Sequence, residues 1–166
     1  MKDSGFPQPG LRKRPDRSDA LDRAYRILAL RDHTRQELAV KLRQKGFDRA
    51  AVDGALQRCL ELGYLNDART AMTLARHLAE SGYGPLRIRH ALGQKGVADA
   101  TINMALAACG DEKTQLASAR RMLEKKAVQL AREADPWRRR QKAYRFLAGR
   151  GFPLAVIKQA VAEFAA

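Results

Sequence analysis

The sequence has few cysteines, few aromatic residues and no long apolar run. Its 166 residues include only two cysteines, Cys59 and Cys109, and one tryptophan. Cysteines this far apart provide neither a disulfide framework nor zinc-ligand spacing, which favours a reducing compartment and two buried small apolar side chains. No run approaches the roughly 20 apolar residues of a membrane span, and Met1 to Gly10 lack the apolar core of a signal peptide. We therefore expect a cytoplasmic protein.

Residues that carry catalysis or bind metals are also scarce. The three histidines, His33, His77 and His90, have no helix-spaced histidine or cysteine partner, so the sequence does not indicate a metal site. The acidic residues are scattered, and there is neither a glycine-rich phosphate loop nor a nucleophile elbow. The sequence therefore predicts a protein that is not an enzyme and binds no cofactor.

Positive charge is abundant and unevenly distributed. The formal net charge is +14, of which residues 111–166 contribute +7 and residues 1–17 contribute +3. Such an excess favours a polyanion or an acidic protein surface as partner over a merely solubilising surface. Prolines and glycines in residues 1–18 predict that this segment is a flexible basic tail.

One pattern repeats three times along a chain rich in helix-forming residues. The segments Leu42–Phe47, Leu92–Val97 and Leu147–Phe152 each place a leucine four positions before a glycine, and an apolar residue follows the glycine. A basic residue precedes each glycine, as is typical of a helix that ends in a Schellman motif. The leucines are separated by 50 and then 55 residues. We interpret this pattern as an internal repeat.

Helix start signals complete each unit. They are the capping box Thr34-x-x-Glu37, Asn66, Gly84-Pro85 and Asp135-Pro136. The predicted fold is all-α, with three tandem three-helix repeats that stack into an elongated, curved array. The repeats are predicted at residues 19–65, 66–110 and 111–166. Their helices are predicted at 19–32, 34–45, 49–62, 67–81, 85–95, 99–108, 112–134, 137–149 and 153–165.

Basic clusters are the strongest candidates for a binding surface. Arg138, Lys142 and Arg145 share one helix face, where three cations can meet successive phosphates, and Arg139 belongs to the same strip. Arg121 and Lys125 form a second patch, since one helical turn separates them. Arg87 and Arg89 flank the inward-facing Ile88, and a solvated helix face is an equally good interpretation of that pair.

Trp137 directly follows the helix start Asp135-Pro136. A tryptophan in the first turn of a helix most often packs on the preceding helix, and we favour that interpretation. Stacking on a nucleic-acid base is the alternative.

Two motifs resemble those of the RecX family. The first is Gly63-Tyr64-Leu65-Asn66-Asp67-Ala68-Arg69, and the second runs from Gly82-Tyr83-Gly84-Pro85 to Lys95-Gly96. With the tandem repeats, the resemblance spans about residues 20–166. It departs at Thr70, where the family usually has an aromatic residue. The resemblance implies a cytoplasmic bacterial protein, without catalytic residues or cofactors, that binds the RecA recombinase and its filament on single-stranded DNA. Such proteins lodge in the helical groove of the filament and inhibit its recombinase and ATPase activities.

Most positions in these motifs are predicted to serve as scaffold, because they end, cap or pack helices. Only four side chains in them have polar ends available to a partner. These four are Arg69, Arg87, Arg89 and Lys95. Together with the cations of the basic clusters, they give the predicted contacts to RecA or DNA, which are Arg69, Arg87, Arg89, Lys95, Arg121, Lys125, Arg138, Arg139, Lys142 and Arg145. We expect a monomer that binds single-stranded and also double-stranded DNA. The alternatives are a basic helical-repeat protein that binds nucleic acid independently of RecA, and an adaptor between two acidic proteins.

Overall fold

The computed structural model describes residues 17–164, and the chain is all-helical across that range, with no strand. The helices are α1 (Arg17–Leu28), α2 (Arg35–Gln44), α3 (Arg49–Glu61), α4 (Asp67–Glu80), α5 (Pro85–Gln94), α6 (Asp99–Ala107), α7 (Glu112–Ala131), α8 (Pro136–Gly149) and α9 (Leu154–Phe164). The all-α prediction is confirmed. The predicted tail at residues 1–18 lies almost entirely outside the described residues.

Each group of three consecutive helices has its own apolar core. One cluster of buried side chains joins α1 to α3, a second joins α4 to α6, and a third joins α7 to α9. The three leucines of the repeat, Leu42, Leu92 and Leu147, are completely buried in these cores. The residues ten positions further on are also buried: Val52, Ile102 and Ile157. The repeat in the sequence is therefore a repeat of three-helix domains, each with a separate core.

The chain also divides into two compact units. The first unit contains the described residues up to Asp32 together with Leu38–Leu65, and the second contains His33–Glu37 together with the residues from Asn66 onward. The core of α1–α3 belongs to the first unit. The cores of α4–α6 and α7–α9 both belong to the second.

The glycine turns end their helices as predicted. Gly46, Gly96 and Gly151 have φ angles of 87°, 72° and 81°, the left-handed conformation that glycine adopts without a steric cost. In each turn the residue after the glycine donates its backbone N–H to the leucine carbonyl. These bonds are Phe47 to Leu42 at 3.4 Å, Val97 to Leu92 at 3.2 Å and Phe152 to Leu147 at 3.3 Å. Each turn is thus a Schellman motif.

The predicted start signals are also in place. The Glu37 N–H donates to Thr34 Oγ1 at 3.2 Å, and the Thr34 N–H donates to Glu37 Oε2 at 3.0 Å, which completes the capping box. The Asn66 side chain accepts from the Arg69 N–H at 2.9 Å. By contrast, α1 ends at Leu28 rather than at residue 32, because the chain must leave the helical conformation before the cap at Thr34.

Three sequence-predicted details concern buried polar or reactive side chains. Cys59 is fully buried as expected, Cys109 is half-buried, and burial raises the pKa of both thiols. Thr70, where the RecX family usually has an aromatic residue, is buried, and its hydroxyl donates to the His33 carbonyl at 3.5 Å. The hydroxyl therefore has an acceptor in place of the apolar contacts that an aromatic ring would make.

Within the second unit, the turn between α8 and α9 packs on the start of α5. The Gly84 N–H donates to the Arg150 carbonyl at 2.8 Å, and the Leu86 N–H donates to the Gly151 carbonyl at 3.0 Å. The Arg150 guanidinium donates to the Ser81 carbonyl at 2.9 Å. We call this set of contacts the Arg150 junction.

Aromatic rings surround the cation of the Arg150 junction. The guanidinium carbon lies 5.0 Å from the centre of the Tyr83 ring and 5.4 Å from that of Phe146. Rings at this distance attract a cation through their quadrupole. Because Tyr83 precedes α5 and Phe146 belongs to α8, one side chain joins the second helical domain to the third.

The equivalent turn between α5 and α6 makes a related contact. Thr34 Oγ1 donates to the Lys95 carbonyl at 2.6 Å, and Lys95 Nζ forms an ion pair with Glu37. A side chain at Gly96 would collide with Gln36, as one at Gly151 would collide with Arg87. In both places a basic residue and a glycine end one helix and contact the start of another.

These turns predict graded effects of alanine. In Gly151→Ala, the new side chain would be strained by the positive φ and would lie 2.6 Å from Arg87 Cβ, so we expect a loss of more than about 2 kcal/mol of stability. In Gly46→Ala the positive φ would also strain the new side chain, but no atom lies within 4 Å of it. This variant should therefore lose roughly 1–2 kcal/mol of stability. Urea unfolding followed by circular dichroism measures both.

Gly149→Ala is the matched control, because Gly149 is helical and nothing lies within 4 Å of a Cβ there. It should gain roughly 0.5–1 kcal/mol, since alanine loses less backbone entropy in a helix. Equal losses in Gly151→Ala and Gly46→Ala would contradict the close approach at Arg87.

Candidate partner-binding surface

The predicted strip on α8 lies on the surface of the third domain. Its members Arg138, Lys142 and Arg145 are all exposed, whereas the core-facing positions of the helix, Ala143 and Leu147, are completely buried. Asp135 fixes the start of the helix, because its carboxylate accepts from the Trp137 N–H at 2.9 Å. The strip is therefore presented to solvent on a well-anchored helix.

Arg139 differs from its neighbours in the strip. Its guanidinium donates twice to the Glu133 carbonyl, from Nε at 3.0 Å and from Nη2 at 2.9 Å, and the side chain is half-buried. That carbonyl lies just beyond the end of α7, where backbone acceptors lack helical partners. Arg139 therefore joins the end of α7 to α8 through two of the five N–H donors of its guanidinium.

Two other cations of the strip have carboxylate neighbours. Lys142 Nζ lies 2.6 Å from Glu133 Oε2, and the hydrogen bond from Lys142 lowers the pKa of that carboxyl. Arg138 Nε lies 3.5 Å from Asp135 Oδ2. Since both cations remain more than half exposed, these contacts contribute little to stability and leave the charges accessible. Arg145 makes no ion pair with any residue of the described chain.

On α7, the structure separates paired cations from unpaired ones. Arg120 forms a bidentate pair with Glu163 of α9, with Nη2 donating to Oε1 at 2.7 Å, and Lys126 lies 5.3 Å from the Phe146 ring centre. The predicted patch, Arg121 and Lys125, is exposed and forms no ion pair within residues 17–164. The sequence has four similar cations in this part of α7, and the structure shows an ion pair or a ring contact for two of them, Arg120 and Lys126.

The predicted cations of the second domain have different surroundings. Arg87 and Arg89 are exposed on either side of the buried Ile88, as expected. Arg89 donates to Asn103 and lies 4.0 Å from Asp99. Lys95 is paired with Glu37. Arg69 is exposed in the first turn of α4.

Sequence reasoning missed two residues and misjudged a third. Arg150 was recognised only as a cation at a helix end, and Glu133 was not singled out at all. The interpretation that Trp137 packs on the preceding helix is wrong, since 67% of its surface is exposed. The reason is that α8 has 14 residues where α2 and α5 have 10, and the added first turn projects Trp137 beyond the core.

Residues 17–164 contain no group of three or more metal-ligating side chains. In the same range, no helix is both long and apolar enough to cross a bilayer.

Three family models match consecutive parts of the chain. The first three-helix domain of RecX matches residues 20–59, the second matches 66–106 and the third matches 113–161. These spans follow the three separate cores and define a protein of three tandem helical domains. The chain belongs to the RecX family.

Curated relatives agree with that assignment. The chain is 39% identical to the regulatory protein RecX of Pseudomonas fluorescens over 137 residues, which cover 82% of this chain and 85% of the relative. It is 42% identical to that of Ectopseudomonas mendocina, over 81% of this chain and 87% of the relative. Membership of a family of regulatory proteins confirms the prediction that the chain is not an enzyme.

Solved structures show the same fold. The crystal structure of RecX from Lactobacillus salivarius is similar with a TM-score of 0.78 and 24% identity, covering 89% of this chain and 95% of that one. A second structure, of a regulatory protein RecX, has a TM-score of 0.79 and 23% identity, covering 87% of this chain and 70% of that one.

The Arg120–Glu163 pair predicts a pH-dependent stability. The hydrogen bond from Arg120 lowers the pKa of Glu163 below its ordinary value of 4.5. The pair therefore stabilises the fold fully above that value, and this contribution disappears as the pH falls through the lower, folded pKa. We expect wild type to lose more stability than Glu163→Gln between pH 5 and pH 3 (roughly the range over which such carboxylates titrate).

Urea unfolding at a series of pH values measures this difference. Glu124→Gln is the control, because Glu124 is exposed and has no ion-pair partner in the described part of the chain. A parallel pH dependence of wild type and Glu163→Gln would show that the pair does not contribute.

Proposed function

We propose that this chain is a negative regulator of the RecA recombinase. In this proposal it binds the RecA filament on single-stranded DNA, lies in the helical groove of the filament and lowers its recombinase and ATPase activities. It acts in the cytoplasm as a monomer and takes part in the regulation of homologous recombination and DNA repair, including the SOS response.

Family membership carries this proposal. Three RecX domain models match the chain in order, and relatives at about 40% identity that span most of it are named regulatory protein RecX. The matched regions span 85% and 87% of the length of two such relatives. The domain models show that the chain contains all three domains of the family. The RecA-regulating role comes to this chain from that relationship.

The distribution of cations supports a polyanionic target. Residues 111–166 contain thirteen lysines and arginines against six acidic residues. Arg121, Lys125 and Arg145 are exposed and have no carboxylate partner among the described residues. Since no internal carboxylate neutralises these cations, their charge can attract an external anionic partner, such as phosphates or an acidic protein surface.

The Arg150 junction supports a multivalent mode of binding. Backbone hydrogen bonds and the half-buried Arg150 side chain connect the second domain to the third, so cations on both domains are presented together. Several weak contacts on one connected body act cooperatively, since forming the first raises the effective concentration of the next. Fixing the domains in advance also lowers the entropy lost on binding.

Charge reversal tests which surface is used. In the triple variant Arg138→Glu, Lys142→Glu and Arg145→Glu, three attractive contacts become repulsive. The protein concentration needed to inhibit RecA should therefore rise by about tenfold or more. Arg139 stays unchanged, since its guanidinium holds the end of α7. RecA ATP hydrolysis and strand exchange, titrated with the variant, measure the effect.

A matched triple reversal in the first unit controls for net charge. Arg26, Arg43 and Lys45 are exposed and form no ion pair within the described chain, and changing them to glutamate alters the total charge equally. This variant should inhibit like wild type, and both should keep their helical circular dichroism. Normal inhibition by the α8 variant would place the site elsewhere, and no inhibition by wild type would refute the proposed function.

The high net charge also favours a second candidate, a nucleic-acid-binding protein that acts without RecA. If several phosphates are neutralised, DNA binding should weaken by a factor of about 10³ or more between low and physiological salt, through counterion release. Fluorescence anisotropy of labelled DNA measures this dependence. Equal affinity at both salt concentrations would contradict phosphate contacts, whereas DNA binding without any change in RecA ATP hydrolysis would favour the second candidate.

A further inference from the structure

A groove of about 680 Å³ lies between the end of α7, the start of α8 and the end of α9. Its walls include Ala127 and Ala131 of α7, Trp137 and Arg140 of α8, and Phe164 of α9. This volume falls within the range of roughly 300–1,000 Å³ that is typical of ligand sites. The groove thus combines an apolar floor, a large aromatic ring and a cation.

The ring is not placed there by the needs of the core. Trp137 belongs to the added first turn of α8, which α2 and α5 lack, and 67% of its surface is exposed. The Asp135 carboxylate accepts from the Trp137 N–H at 2.9 Å and so fixes the backbone of this turn. A large aromatic residue is usually buried because its transfer from water is favourable. Here a turn that is capped by a hydrogen bond holds it open to solvent.

The charged side chains that line the groove are both cations. Arg140 is exposed and has no hydrogen bond or ion pair to any residue between 17 and 164, and Arg139 also lines the groove. The neighbouring carboxylates face other groups: Glu133 meets Lys142, and Asp135 caps α8 beside Arg138. No carboxylate is among the described residues that line the groove. Its potential is therefore positive.

We propose that this groove binds an unpaired nucleotide of single-stranded DNA, with the base stacked on Trp137 and a phosphate held by Arg140. An exposed ring beside a cation is the combination by which proteins hold single strands without sequence preference. A duplex supplies phosphates but keeps its bases stacked inside. An acidic peptide supplies negative charge but no planar face for the ring. This site rests on the proposed function and adds a direct contact to the DNA of the filament.

Trp137 is the only tryptophan in the chain, so its fluorescence reports on the site directly. Oligothymidylate added to the full chain at low salt, without RecA, should quench this emission in a saturable manner, because a stacked base contacts the ring. An abasic oligonucleotide of the same length, a duplex and a polyglutamate peptide should each quench it much less. No quenching by oligothymidylate, or equal quenching by any of these three, overturns the proposal.

Substitutions test the two halves of the site separately. Trp137→Ala should weaken oligothymidylate binding by about tenfold, the loss expected for one stacked base, whereas Trp137→Phe should keep most of the affinity. Arg140→Gln should weaken binding and reduce its dependence on salt. Unchanged affinity in Trp137→Ala would exclude stacking. Helical circular dichroism checks folding, and the wild-type fluorescence result stands even if a variant fails to fold.

The outcome is separable from that of the proposed function. Inhibition of RecA ATP hydrolysis by the wild-type chain tests regulation, and quenching by oligothymidylate alone tests the nucleotide site. Inhibition without quenching would refute only the site, and quenching without inhibition would refute only the regulatory role.

Discussion

Much of this structure depends on one constraint: the chain must leave a helix through a left-handed residue and pack at once on a neighbouring helix start. At Gly151 the backbone turns with φ of 81°, and the carbonyls of Arg150 and Gly151 become acceptors for the start of α5. Glycine is required at position 151 for two reasons: the left-handed backbone conformation and the close approach of Arg87. The same residue therefore ends a helix and helps to join two domains.

The division of cations into two groups follows from that architecture. Arg150, Lys95 and Arg139 each satisfy carbonyls, rings or a carboxylate at helix ends, where unpaired backbone acceptors and the helix dipole favour positive charge. Arg121 and Arg145 project from helix middles, where every backbone group is already bonded. They consequently remain available, and they add positive charge to the exposed surface of α7 and α8.

The third domain differs from the first two at the start of its second helix. In α2 and α5 this start contacts a glycine turn, at Lys95 and at Arg150 respectively. In α8 an added turn, capped by Asp135, extends the helix and exposes Trp137 beside Arg140. The start of the second helix thus lines a groove in the third domain. The elongated, curved form of the whole array stays a prediction, as do the exact domain borders.

The sequence by itself determined the helices, their caps and the three cores, because these depend on local chemistry. A leucine four residues before a glycine can be recognised wherever it stands, and Leu42, Leu92 and Leu147 are buried as that pattern required. The family was also recognisable from its motifs. Only the tertiary structure decided which of many similar cations are paired, since Glu163 is far from Arg120 in sequence and reaches it through the packing of α9 on α7. It also decided the exposure of Trp137 and the role of Arg150, because contacts between helices depend on their relative placement and no local pattern encodes it.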